Sequence, residues 1–163
     1  MNASGLLTEL VNLPLSSNQM RLWIISMQDK SNPAYNIQLA YHFEGKIDRD
    51  LLEQSLEILF MRQHTMFSVF RYDGSEPFID IVPRKVELNF KDFTTQTTLG
   101  REALMSFAGE DSRVPYDLEN GPLYRLYLLK ENDRSYFFYA TIHHLIFRWI
   151  YQKTLCAGTE LDI

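Results

Sequence analysis

The stretch Tyr136-Phe137-Phe138-Tyr139-Ala140-Thr141-Ile142 constrains this chain more than any other. Successive side chains of a strand point to opposite faces, and here both faces are apolar or aromatic. Such a strand belongs in the middle of a sheet covered on both sides. It runs directly into His143-His144, so two imidazoles sit at the end of a rigid element. That is a good place from which to aim a side chain into a cleft. Adjacent residues face opposite ways, so the two histidines cannot play the same role. A neutral imidazole takes a proton near pH 7, which suits a general base. The plain alternative is two partly buried histidines without chemistry.

The rest of the chain supplies elements to pack on that strand. Residues 15–28 predict a helix, capped by Ser16 or Ser17, with Met20, Trp23, Ile24 and Met27 at helical spacing. That apolar stripe reads as core. Ser31-Asn32-Pro33 breaks the chain. Ile37, Leu39, Tyr41 and Phe43 then alternate with Gln38, Ala40, His42 and Glu44, the period of a strand with one buried face. Asp48 caps a helix running to about Arg62, with Leu52, Leu56 and Leu59 on one stripe. Residues 66–72 and 77–82 flank Asp73-Gly74-Ser75, a hairpin signal. Residues 86–90 predict a short strand and residues 99–107 a shorter helix. Residues 123–129 and 136–142 predict two strands around Glu131-Asn132-Asp133-Arg134. The class is α+β, a mixed sheet with helices packed on it.

Composition narrows the function. At 163 residues the chain fits one domain or one lobe of a larger one. With 45% hydrophobic residues and 13% aromatics it can build a core. Its net charge of -5 argues against nucleic acid, because phosphate binding needs a basic surface. The single cysteine, Cys156, permits no internal disulfide and points to a reducing, cytoplasmic setting. No signal peptide is apparent, and no run approaches the ~18 apolar residues of a membrane span. No metal site is expected: His42 and His64 are the other histidines, and neither H-x-x-x-H nor C-x-x-C occurs. A G-x-S-x-G elbow and a phosphate loop are also missing. Glu110 and Asp111 read as solvated carboxylates rather than a catalytic pair.

Several segments together resemble a known family. Ser16-Ser17-Asn18-Gln19-Met20-Arg21-Leu22-Trp23 resembles S-x-A-Q-x-R-L-W, the first motif of nonribosomal peptide synthetase condensation domains. Residues 62–70, Arg62 through Phe70, resemble the second, R-H-E-x-L-R-T-x-F, more loosely. Tyr116-Asp117-Leu118-Glu119-Asn120-Gly121-Pro122-Leu123-Tyr124-Arg125 resembles F-D-L-x-x-G-P-L-x-R. His143-His144 stands where the family has H-H-x-x-x-D-G. Order and spacing cover nearly the whole chain, which is more specific than any single motif.

The resemblance implies a fold like chloramphenicol acetyltransferase, with two α+β lobes meeting along a tunnel. Residues 1–147 would be the N-terminal lobe, and the C-terminal lobe would be missing. The family joins a carrier-bound acyl or peptidyl thioester to a carrier-bound amine, forming an amide. His144 would be catalytic, as general base or as positioning group; the sequence leaves both open. His143 and Arg62 would be structural at the active site. No cofactor would bind directly; the substrates ride on phosphopantetheine arms of partner carrier proteins. A lone lobe is expected to be inactive, and to expose surface that favours self-association. Two other readings stay open, a non-catalytic carrier-protein docking module and a stand-alone acyltransferase of the same superfamily.

Departures from the pattern matter as well. The family's Asp-Gly is replaced by Arg148-Trp149, and the second Arg of the second motif by Phe67. An Arg–Asp pairing implied by the family therefore has neither member. A lone buried charge is costly, so Arg148 is expected to face solvent. Residues 148–163 form an atypical tail, and a one-base shift would explain it. Tryptophan has the single codon TGG and every isoleucine codon starts with A, so Trp149-Ile150 read one base later must give GGA, glycine. An Arg148 codon ending in GA would then give GAT, aspartate. Asp-Gly is the missing pair, at the right distance from His144.

Overall fold

The protein is described by a computed structural model that covers residues 11–94 and 100–147. Its first elements form because their caps are local. A two-residue strand β1 (Leu13–Pro14) leads into helix α1 (Ser17–Gln28). Ser16 caps α1: its hydroxyl accepts from the Gln19 N–H, and the Gln19 side chain accepts from the Ser16 N–H. Asn32 caps the short 3-10 turn Pro33–Tyr35, which delivers the chain into β2 (Asn36–Glu44). The Asp48 carboxylate caps α2 (Arg49–Arg62) by accepting from the Leu51 N–H.

Strands β3 (Ser68–Tyr72) and β4 (Pro77–Ile81) form the predicted hairpin, with Gly74 at φ +99° in the turn. The Asp73 carboxylate accepts from the Ser75 and Glu76 N–H groups, which holds its pKa below the usual value. Strand β5 (Leu88–Asp92) follows, then α3 (Gly100–Asp111), β6 (Tyr124–Asn132) and β7 (Ser135–His143). The α+β class holds, with two sheets rather than one. A mixed four-stranded sheet runs β2-β7-β6-β5, its β5–β6 pair parallel and the others antiparallel. A three-stranded antiparallel sheet runs β1-β4-β3. As its composition predicts, β7 lies inside the larger sheet.

The main core joins the two sheets. Phe67, Phe70, Val86, Leu88, Leu123, Leu126, Leu128, Ile142, Leu145 and Ile146 are all buried there. Helices α1 and α2 lean on it through Leu22, Trp23, Leu52 and Leu56. A second cluster seats α3 against β6 and β7 through Leu104, Ala108, Leu129 and Tyr139.

Four local expectations are corrected. In the α1 stripe Ile24 is exposed and no residue is fully buried, because the helix leans on the core through Leu22 and Trp23. Leu59 of α2 is half exposed, and Phe60 turns inward instead. Its ring packs edge-on against Tyr124 at 4.8 Å and near Phe67 at 6.3 Å, burying more apolar surface than a leucine. On β2, Ile37 and Leu39 are partly covered, but Tyr41 and Phe43 are exposed. The strand lies at the edge of the larger sheet. Lastly, α3 continues to Asp111, past the expected end, and Asp111 is buried rather than solvated.

Candidate active site

Strand β7 holds His143 as its last residue, opposite Asn36 of β2. The His143 N–H donates to the Leu123 carbonyl at 2.9 Å, fixing the strand end to the neighbouring segment. Its ring is 4% exposed, with Tyr116 edge-on at 6.0 Å and Tyr35 at 6.4 Å. Its Nδ1 accepts the Leu145 N–H at 3.3 Å. That bond requires a bare Nδ1, so the neutral ring carries its proton on Nε2. Burial, and then the neighbouring His144, push the pKa of His143 down to about 4. This histidine is neutral at physiological pH.

His144 opens a helical turn over residues 144–147 and is half-buried. Its Nδ1 is buried and has no hydrogen-bond partner among the described residues. The two rings line different clefts, as neighbours at a strand end that face opposite ways can. His143 lines one of about 440 Å³, with Met27, Lys30, Asn32, Tyr116 and Asp117. His144 lines another of about 340 Å³, with Asn18, Gln19, Arg21 and Leu22 of α1. The first motif and His144, far apart in sequence, thus share one cleft.

A polar network backs the His143 side. Asp111 accepts from Arg125 Nε at 2.8 Å, from the Tyr127 hydroxyl at 3.0 Å and from Thr141 Oγ1 at 2.6 Å. The Arg125 guanidinium lies over the Tyr116 ring at 4.2 Å. The Tyr116 hydroxyl donates to the Thr141 carbonyl at 2.8 Å, and burial raises its pKa to about 12. A continuous set of contacts therefore runs from Asp111 to the His143 ring. Sequence reasoning missed it. The available signal was Arg125 itself, a cation in an apolar strand that needs an acid to face.

Arg62 is placed elsewhere. It is exposed in the last turn of α2, and among the described residues no hydrogen bond or ion pair joins it to either histidine. Phe67, at the position of the family motif's second Arg, is 4% exposed and packs in the core. Arg148, Trp149 and the tail 148–163 lie outside the described residues. Among the described residues no group of three or more His, Cys, Asp or Glu side chains could hold a metal ion. No described helix is long and apolar enough to cross a membrane.

This arrangement, an α+β lobe whose central strand ends in a histidine pair, is the fold of condensation domains. The starter condensation domain of rhizomide synthetase RzmA superposes with a TM-score of 0.78 at 23% identity, over 93% of this chain and 40% of that one. The first condensation domain of the calcium-dependent antibiotic synthetase gives 0.75 at 21%, over 82% of this chain and 33% of that one. The sequence profile of the Condensation domain family matches residues 11–148, and the chain belongs to that family. Among curated relatives, a linear gramicidin synthase protein of Brevibacillus parabrevis is 30% identical over 141 residues, 83% of this chain and 3% of that protein. Phosphinothricin tripeptide synthetase PhsC of Streptomyces viridochromogenes is 28% identical over 139 residues, 83% of this chain and 13% of that protein. The chain thus spans a small part of each of these relatives, and less than half of these solved domains.

Proposed function

We propose that this chain is the first lobe of a condensation domain that forms amide bonds between carrier-bound substrates, with His144 at the attacking amine. The carrying observation is the His144 ring, which directly follows the last residue of β7 and lines a cleft of about 340 Å³ together with the start of α1. A free imidazole nitrogen can take a proton from an amine, or orient it by accepting a hydrogen bond. His143 has a different part. Its Nδ1 is occupied by the Leu145 N–H, and its buried ring stays neutral, so it shapes the strand end. The substrates arrive on phosphopantetheine arms of carrier proteins, and the lobe itself needs no bound cofactor.

The site is completed by a second lobe. A one-sided cleft holds the transition state weakly, because differential binding depends on a closed, preorganised site. The lobe boundary is at residue 147. The tail 148–163 is an out-of-frame reading, in keeping with a family match that stops at 148. Sequencing the coding DNA tests this directly: removing one base after the Phe147 codon opens a longer condensation-domain frame, or the idea fails.

The activity test supplies the second lobe, in cis or in trans, with an acyl-loaded donor carrier and an aminoacyl-loaded acceptor carrier. The completed protein forms the amide, and His144→Ala lowers turnover by about a hundredfold or more, the usual scale of acid–base catalysis. Carrier binding without turnover by the completed wild type would assign the lobe to docking instead.

A further inference from the structure

We propose that Gln19 is the positioning residue of His144, tying the first turn of α1 to the main chain just past that histidine. The observation is a side chain with two partners in two distant places. Its Oε1 accepts the Ser16 backbone N–H at 3.0 Å, completing the cap of α1. Its Nε2 donates to the Leu145 carbonyl at 3.3 Å, 126 positions away. The two partners define the amide's orientation: turned over, it would set a donor against the Ser16 N–H and an acceptor against the Leu145 carbonyl.

The residue type is informative. A capping box takes Glu or Gln at this position, and both can accept from the cap N–H. Glutamine alone also donates, and the Leu145 carbonyl is where that donor goes. His144 needs such support. Its buried Nδ1 makes no hydrogen bond among the described residues, so its direction is set by the backbone that carries it. That backbone is held from below by Leu145 and Ile146, both buried in the main core. On the cleft side it is held by Gln19, which lines the same cleft as His144. The inference rests on the proposed role of His144 only in naming the ring that matters.

The test separates the cap from the tie. Gln19→Glu keeps the cap acceptor and loses the donor. Ser16→Ala weakens the cap and keeps the tie. Both are made in the 163-residue chain labelled with nitrogen-15 histidine, and the His144 ring resonances and titration midpoint are read by NMR. Gln19→Glu is expected to shift both while the helical circular dichroism is kept; Ser16→Ala is expected to leave both in place. A His144 signal unmoved by Gln19→Glu, or moved equally by Ser16→Ala, overturns the proposal. If Gln19→Glu does not fold, the wild type decides: nuclear Overhauser contacts between the Gln19 side-chain amide and the Leu145–Ile146 backbone support the tie, and their absence overturns it. The readout is ring position, not turnover. An inactive completed domain therefore counts against the proposed function alone, and an unmoved ring counts against the tie alone.

Discussion

Acidification should destabilise this lobe through His143 in particular. The folded state holds the ring neutral, with a pKa of about 4 against an ordinary 6.5. Two features act together: the ring is 4% exposed, and its Nδ1 is already occupied by the Leu145 N–H. Protonation would bury a cation and set a donor against a donor. In the unfolded chain the ring takes a proton as pH falls through 6.5. Between 6.5 and about 4 the unfolded state therefore binds more protons, and stability falls with pH. Below about 4 both states are protonated and the loss levels off. At about 1.36 kcal/mol per pH unit the full loss is about 3 kcal/mol. That is a large share of the roughly 5–15 kcal/mol that holds a domain together. Urea unfolding of wild type and His143→Gln at about pH 7 and about pH 4 measures it, because carboxylates titrate alike in the two proteins. The advantage of wild type over the variant should shrink by about 3 kcal/mol on acidification. Equal losses in the two proteins would refute the assignment of a neutral, buried His143.

Arg125→Ala should cost about 3–5 kcal/mol, since it leaves Asp111 as a buried carboxylate without its cation; urea unfolding measures it, and Asp111→Asn in the same chain should recover part of the loss. Gly121 sits at φ +59° with Val69 Cγ1 3.1 Å from where a Cβ would stand. Gly121→Ala should therefore cost about 1–3 kcal/mol by the same assay, from backbone strain. The exposed Tyr41 and Phe43 of β2, with Leu51, Ile58 and Met61 of α2, leave apolar surface open. The isolated lobe should self-associate in sedimentation velocity, and a clean monomer at high concentration would count against this.

Legibility in the sequence followed the range of the interactions. Helices α1 and α2 were readable because their caps, Ser16 and Asp48, act within three residues. The β6–β7 hairpin was readable because a strand apolar on both faces has few places to go. The three-stranded sheet was not, since β1 is only Leu13–Pro14 and has no period to detect. Asp111 was misread for a related reason. A carboxylate's burial depends on its partners, and Arg125, Tyr127 and Thr141 come from strands folded back onto the end of α3. The histidine pair was visible as a pair. The two clefts were not, because their other walls come from distant segments, residues 26–32 and 115–119 for one and 16–22 for the other. Gln19 shows both cases in one side chain: its cap to Ser16 has a local pattern, whereas its bond to Leu145 has none.

The missing charge pair bears on how the histidine strand is held. By resemblance, an Arg at position 67 and an Asp at position 148 would brace the loop after the histidines. Phe67 instead packs near Phe60 at 6.3 Å, and Phe60 meets Tyr124 edge-on at 4.8 Å. Those rings belong to the same core as Leu145 and Ile146, the residues directly after His144. An ion pair in that place would meet a desolvation cost that apolar packing avoids, so its replacement by phenylalanine need not weaken the lobe. What packing lacks is direction: it fills space around the turn without fixing where a ring points. Direction has to come from hydrogen bonds, and those described at this turn include the Leu145 N–H to His143 and Gln19 to the Leu145 carbonyl. Of these two, the bond from Gln19 is the one made by a side chain of the first motif, on the cleft side of His144.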